Sequence, residues 1–167
     1  MPKRIVLAII SVALAVVLVA AVAVGARTGP KAHGNARDQS RALFAVLTGR
    51  NEVDMTTLRR GAGDRDGRGS FTATVDGATL CFGMTVKNID GPVAAHIHRG
   101  RRNVNGPIVV PLTQPSSGDP GASSGCVTVK PKLARAILRH PHRYYANVHT
   151  GTFPGGAVRG QLFGRFN

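Results

Sequence analysis

His96 and His98 stand two residues apart in Ala94-Ala95-His96-Ile97-His98. Along an extended chain side chains alternate faces, so these two imidazoles share one face, about 6.5–7 Å apart along the backbone, while Ile97 takes the other. Two ring nitrogens at that spacing can converge on one ion. A third histidine, His149, falls in a second period-two stretch, where it shares a face with Tyr145 and Asn147 while Ala146 and Val148 point the other way. Three neutral imidazoles with an open position suit copper or zinc, for reversible binding or for catalysis. Tyr145, Asn147 and Arg159 are the candidate residues around such a site. The same histidines also fit a purely structural use, as hydrogen-bond partners of the backbone or of Asn147 and Tyr145.

Other candidate chemistry is thinner. Asp64-Arg65-Asp66-Gly67-Arg68-Gly69 has the spacing of a calcium-loop fragment, but it lacks the later glutamate and carries two arginines, so it reads as a hairpin turn. His140 and His142 flank Pro141 at the end of an expected helix, where they can cap carbonyls. The pairs Ser116-Ser117 and Ser123-Ser124 have no nucleophile-elbow context. No phosphate loop or dinucleotide motif is present. Nothing here assigns a catalytic residue.

The elements that must position the histidines are strands. From Leu43 onward, short alternating apolar stretches are punctuated by Gly, Asn, Asp and Pro. The pattern predicts about eight strands, at residues 43–47, 71–75, 80–86, 93–98, 108–112, 126–129, 144–149 and 157–163, with 116–124 as loop. Asp76-Gly77 predicts a hairpin turn. One short helix is expected, started by Pro131, carrying the apolar stripe Leu133, Ile137 and Leu138, and ended by Pro141. Cys81 lies opposite the Leu80/Phe82 face and Cys126 opposite Val127 and Val129. Both cysteines thus point away from the apolar face and predict a disulfide between strands, closing a loop of about 45 residues.

Four ordered segments resemble the chordin-type (CHRD) domain: Ala94 to Gly100, Asn105-Gly106-Pro107-Ile108-Val109, Tyr145 to Thr150, and Phe153-Pro154-Gly155-Gly156-Ala157-Val158-Arg159-Gly160-Gln161-Leu162. The opening Leu47-Thr48-Gly49-Arg50-Asn51-Glu52-Val53 is similar to that family's first strand and following segment; Asp54 stands where the family often has proline. The resemblance covers residues 42–164 and implies a mostly β fold, an antiparallel immunoglobulin-like or copper-zinc-superoxide-dismutase-like β-sandwich with one short helix. The His-x-His strand followed by Gly also looks like the copper strand of those dismutases, an analogy of fold, and the rest of the dismutase ligand set is missing. The resemblance implies no known reaction. Two classes of function follow: a non-enzymatic binding or structural module, or a copper- or zinc-binding, redox-capable domain.

Lys3 and Arg4 precede an uncharged run, Ile5 to Val24, broken only by Ser11. As a helix such a run spans roughly 30 Å, the thickness of a bilayer core. Residues 1–26 read either as a cleaved signal, with small-residue sites at Ala21-Val22-Ala23 and Val24-Gly25-Ala26, or as a retained membrane anchor through residues 5–24. Residues 27–41 read as a flexible linker and 42–167 as the domain. Either reading places the domain outside the cytoplasm, where a cysteine pair oxidises. The net charge is +14, and +12 without Lys3 and Arg4. Such a surface attracts anionic polymers or phospholipid headgroups, so the expected partner is a protein of unspecified kind or an anionic surface or polymer. With no Trp and few aromatics, no base-stacking platform and no specific nucleic-acid partner are expected.

Overall fold

A computed structural model describes residues 42–164, so the signal or anchor and the linker expected over 1–41 lie outside the described residues. Eight strands follow: β1 Ala42–Thr48, β2 Arg68–Asp76, β3 Thr79–Lys87, β4 Pro92–Arg99, β5 Ile108–Leu112, β6 Gly121–Thr128, β7 Tyr144–Thr150 and β8 Val158–Gln161. The helix α1 spans Pro131–Arg139, between β6 and β7. No helix among the described residues is long and apolar enough to cross a membrane.

All pairings are antiparallel, and the strands join in the order β5-β4-β7-β8-β1-β2-β3-β6. The expected mostly β antiparallel fold is therefore present. The seam between its halves is narrow: β1 and β8 meet only at Thr48↔Arg159, helped by the isolated bridge Phe44↔Phe163. The sheet is thus two four-stranded halves, β5-β4-β7-β8 and β1-β2-β3-β6, linked by a short ladder. Both contribute to one apolar core.

Period two selects that core. Leu43, Ala45 and Leu47 from β1, Phe71, Ala73 and Val75 from β2, and Leu80, Phe82, Met84 and Val86 from β3 are all buried, while most intervening residues are exposed. Ala95, Ile97, Val110, Ala146 and Val148 extend it from the other half, and Ala134 and Ile137 of α1 close one side. Removing a buried Leu or Ile side chain from such a core costs about 2–5 kcal/mol. The β2–β3 hairpin turns through Gly77, whose φ of +56° is the left-handed conformation that glycine adopts without cost.

Three expectations need correction. Residues 121–124 are strand, the first half of β6, and not loop. Their small side chains carry no alternation of large apolar groups; the backbone ladder to β3 holds them, and the Phe82 ring occupies the space beside Gly125. The Asp64–Gly67 segment is an irregular entry into β2, and no strand immediately precedes it to make a hairpin. At the end of α1 the backbone N–H of His140, not its ring, donates to Ala136 O at 3.0 Å. Before β8, Gly156 has a φ of +136°, which residues with a side chain rarely adopt.

Cys81 and Cys126 sit directly opposite each other on β3 and β6 and form a disulfide with an S–S distance of 2.09 Å. Both are on the face away from the core, as their phase predicts: Cys126 is exposed and Cys81 half-buried.

Candidate metal centre

β7 departs from the simple alternation. Its inward residues Tyr144, Ala146 and Val148 are buried in the core, yet Tyr145 and Asn147 on the opposite face are buried as well. Loops cover that second face. The stretch after β1 brings Glu52, the β4–β5 connection brings Asn105 and Gly106, and the β7–β8 connection brings Pro154 and Gly156. A polar layer, largely shielded from water with His96 and His149 half-buried, thus lies on the outside of the β4-β7-β8 half.

Register determines its layout. His96 on β4, Asn147 on β7 and Arg159 on β8 form one cross-strand row; His98, Tyr145 and Gln161 form the next; His149 pairs with Ala94 on the other side. The three histidines meet. Their ring centroids are 5.6 Å apart for His96–His98, 5.1 Å for His96–His149 and 5.8 Å for His98–His149. One nitrogen from each lies within 4.8 Å of the other two. An ion bound at about 2.0–2.1 Å in a tetrahedral site holds its ligand nitrogens roughly 3.4 Å apart, so closure asks for small ring rotations only.

The hydrogen bonds choose which nitrogens face inward. His98 Nδ1 lies 2.9 Å from Gly106 O, and His149 Nδ1 lies 3.0 Å from Pro154 O. A carbonyl can only accept, so each Nδ1 carries the proton and each Nε2 is left with its lone pair. Those two Nε2 atoms and His96 Nδ1 are buried without a hydrogen-bond partner. A neutral donor atom that is buried and unpaired is costly, unless a ligand takes it up.

Electrostatics favour the neutral rings. Burial pushes the His98 pKa down to about 4, against the Gly106 carbonyl, which raises it; His149, His96 and Arg159 push it down further. His96 is lowered by burial and by His149. His149 is lowered by burial, with the Pro154 carbonyl opposing. All three are thus held in the form that ligates a metal, and the acid loss of that form begins below the ordinary histidine value.

The surrounding residues hold this arrangement. The Tyr145 ring stacks on His98, with centroids 4.8 Å apart and planes 8° from parallel. The Arg159 guanidinium covers Tyr145, with Cζ 3.4 Å from the ring centroid, a cation–π contact. Arg159 is 2 % exposed and donates to Asn105 Oδ1, Arg101 O and Val104 O. Asn105 in turn donates to Val53 O, and Gly106 N donates to the Tyr145 hydroxyl. The β4–β5 loop is thereby tied to the site from three directions. A side chain at Gly106 would collide with Arg99 O, so glycine is required where this loop crosses itself.

Residue type and spacing do not single out Glu52, which stands in the sequence only as part of the family-like opening segment. It is buried, with Oε1 unpaired, close beside Asn147 and Gly156. Burial pushes its pKa up to about 8, more than Arg159, the Asn147 side chain and the Val53 backbone together pull it down. At neutral pH this carboxyl is mostly protonated. His140 and His142, 6.1 Å apart by centroid, belong to the helix end and not to this cluster.

The CHRD domain family matches residues 43–162. No match was found among the curated proteins or the solved structures. The matched span takes in the site from Glu52 through the three histidines to Arg159, and on that match the chain belongs to the CHRD domain family.

Proposed function

We propose that this protein is an extracytoplasmic CHRD-domain module, secreted or anchored by its N-terminal run, that binds one Cu(II) or Zn(II) ion through His96, His98 and His149. Two observations carry the metal reading: one ring nitrogen from each of the three histidines lies within 4.8 Å of the other two, and His96 Nδ1, His98 Nε2 and His149 Nε2 are buried with no hydrogen-bond partner. A structural use accounts for the Nδ1 bonds of His98 and His149 but leaves these three atoms without a role. The Cys81–Cys126 disulfide supports the compartment, since such bonds persist in oxidising environments.

The test is titration of untagged, chelator-stripped protein with Cu(II) and Zn(II). One ion per chain should bind, with three imidazole ligands visible in the spectrum of the Cu(II) form. His96→Ala, His98→Ala or His149→Ala should each weaken binding by at least about tenfold, by loss of one ligand, while His140→Ala leaves it unchanged. No one-to-one binding at micromolar metal, or equal binding by His96→Ala, would reject the site and leave the histidines structural.

A further inference from the structure

The sign of charge is unevenly distributed along this chain. Between Gly91 and Gly164 the only acidic residue is Asp119, while Arg99, Arg101, Arg102, Lys130, Lys132, Arg135, Arg139, Arg143 and Arg159 all fall there. Four of these, Arg99, Lys130, Lys132 and Arg143, line one groove of about 500 Å³ together with His140. No acidic residue lines it. All five side chains are exposed, and none makes an ion pair or side-chain hydrogen bond among the described residues. The floor is apolar, made by the half-buried Leu133 and Ala136 of α1 and by Tyr144.

We infer that this groove is a docking site for a linear phosphate-bearing polymer. The groove is a strip and not a point. Lys132, Ala136 and His140 follow one face of α1 and its end, so the helix wall runs for about 12 Å at 1.5 Å per residue. That length takes several anionic groups in a row. The cations come from two walls: Lys130 and Lys132 from the helix side, Arg99 and Arg143 from the end of β4 and the turn before β7. A tetrahedral phosphate presents oxygens to both walls at once, with the guanidinium forks taking two oxygens each. A carboxylate accepts from both walls as well, but on an extended chain side-chain carboxylates recur on one face only about every 7 Å, so a phosphate backbone lays more charge along the same strip.

Other polyanions fit less well. Tyr144, the groove's only six-membered aromatic ring, is 4 % exposed, so there is no platform on which bases stack. The exposed large apolar residues, among them Phe44, Val46, Val93 and Phe163, lie elsewhere, so the groove has no wedge for entering a bilayer. This inference is independent of the histidine site, which shares no residue with the groove.

The experiment measures binding of the full chain to inorganic polyphosphate, to polyglutamate of equal charge and to phosphatidylglycerol vesicles, at low and at physiological salt. Polyphosphate should bind most tightly, and salt should weaken it steeply by counterion release. Lys130→Glu with Lys132→Glu should weaken it by about tenfold or more, since two attractive contacts become repulsive. Arg99→Gln with Arg143→Gln tests the opposite wall and should also weaken it. Arg59→Glu with Arg65→Glu makes the same charge change on exposed residues away from the groove and should cost less than about threefold. Equal losses in the two Glu pairs would overturn the site in favour of general attraction. Polyglutamate or vesicles binding as tightly as polyphosphate, or no binding at low salt, would overturn it too.

Discussion

Glu52→Gln should make the metal-free protein more stable at neutral pH. Glu52 is 2 % exposed, and burial raises its folded pKa to about 8 from the ordinary 4.5. A raised carboxyl favours its proton in the fold, so the unfolded chain ionises first as pH rises. Stability is therefore full below about pH 4.5 and falls until the folded group also ionises near pH 8. At pH 7 the interval between the unfolded value and the pH is 2.5 units, equivalent to about 3 kcal/mol at 1.36 kcal/mol per unit. Glutamine keeps the shape and polarity of the protonated acid and does not titrate. Arg159 is not left stranded, because its guanidinium donates to Asn105 Oδ1 and two backbone carbonyls. Urea unfolding in EDTA at pH 5, 6, 7 and 8 should give nearly equal stabilities at pH 5 and a gap that widens towards about 3 kcal/mol at pH 7. If Glu52→Gln is instead less stable at pH 7, Glu52 is ionised and paired with Arg159, and the burial argument is wrong.

Three further outcomes are expected. His98 has the opposite sign: its folded pKa is lowered to about 4 from 6.5, so the fold loses stability as pH falls from about 6.5 to about 4. After a discount for partial screening this amounts to about 2–3 kcal/mol, and a His98→Gln variant should show a flatter acid limb in thermal melts. Gly156→Val should destabilise by more than about 1 kcal/mol, because φ is +136° and the added Cβ would lie 2.5 Å from Glu52 Oε1 and 2.7 Å from Asn147 Nδ2; an unchanged melting temperature would count against it. Cys81→Ser with Cys126→Ser should cost about 4 kcal/mol by the chain-entropy estimate for a separation of 45 residues, and Ellman titration of the denatured wild type should find no free thiol.

The legible parts of this fold are those written in period two. Phe71, Ala73 and Val75 against Leu80, Phe82, Met84 and Val86 announce two strands, and Asp76-Gly77 places the turn between them; the structure follows all of it. The phase of the cysteines was readable for the same reason. The first half of β6 was not, because Gly121, Ala122, Ser123, Ser124 and Gly125 alternate nothing that differs in hydropathy. The histidines could be put on one face from spacing alone, but their meeting depends on β4 and β7 being neighbours in register, which local pattern does not contain. Glu52 was hidden for a different reason. It sits outside any strand, and its burial is produced by Asn147, Gly156 and Arg159, which lie about 95 or more residues further along the chain.

The residues carrying the family resemblance converge on the outer, roofed face of β4-β7-β8 more than on the core. Glu52 comes from the opening segment, His96 and His98 from the second, Asn105 and Gly106 from the third, Tyr145, Asn147 and His149 from the fourth, Gly156 and Arg159 from the last. A sheet face needs no such layer to be stable. Solvated polar residues serve as well, and the outer faces of β2 and β3 use them, with Thr72, Thr74 and Thr85 exposed. Burying an arginine, a carboxyl and three imidazoles costs desolvation that each hydrogen bond only offsets. The Arg159–Tyr145–His98 stack and the Gly106 and Pro154 carbonyls fix ring orientation as well as satisfy polar groups. An assembly that fixes three rings and leaves one buried nitrogen on each unpaired is built as a ligand set is built, with donor atoms oriented before the ion arrives.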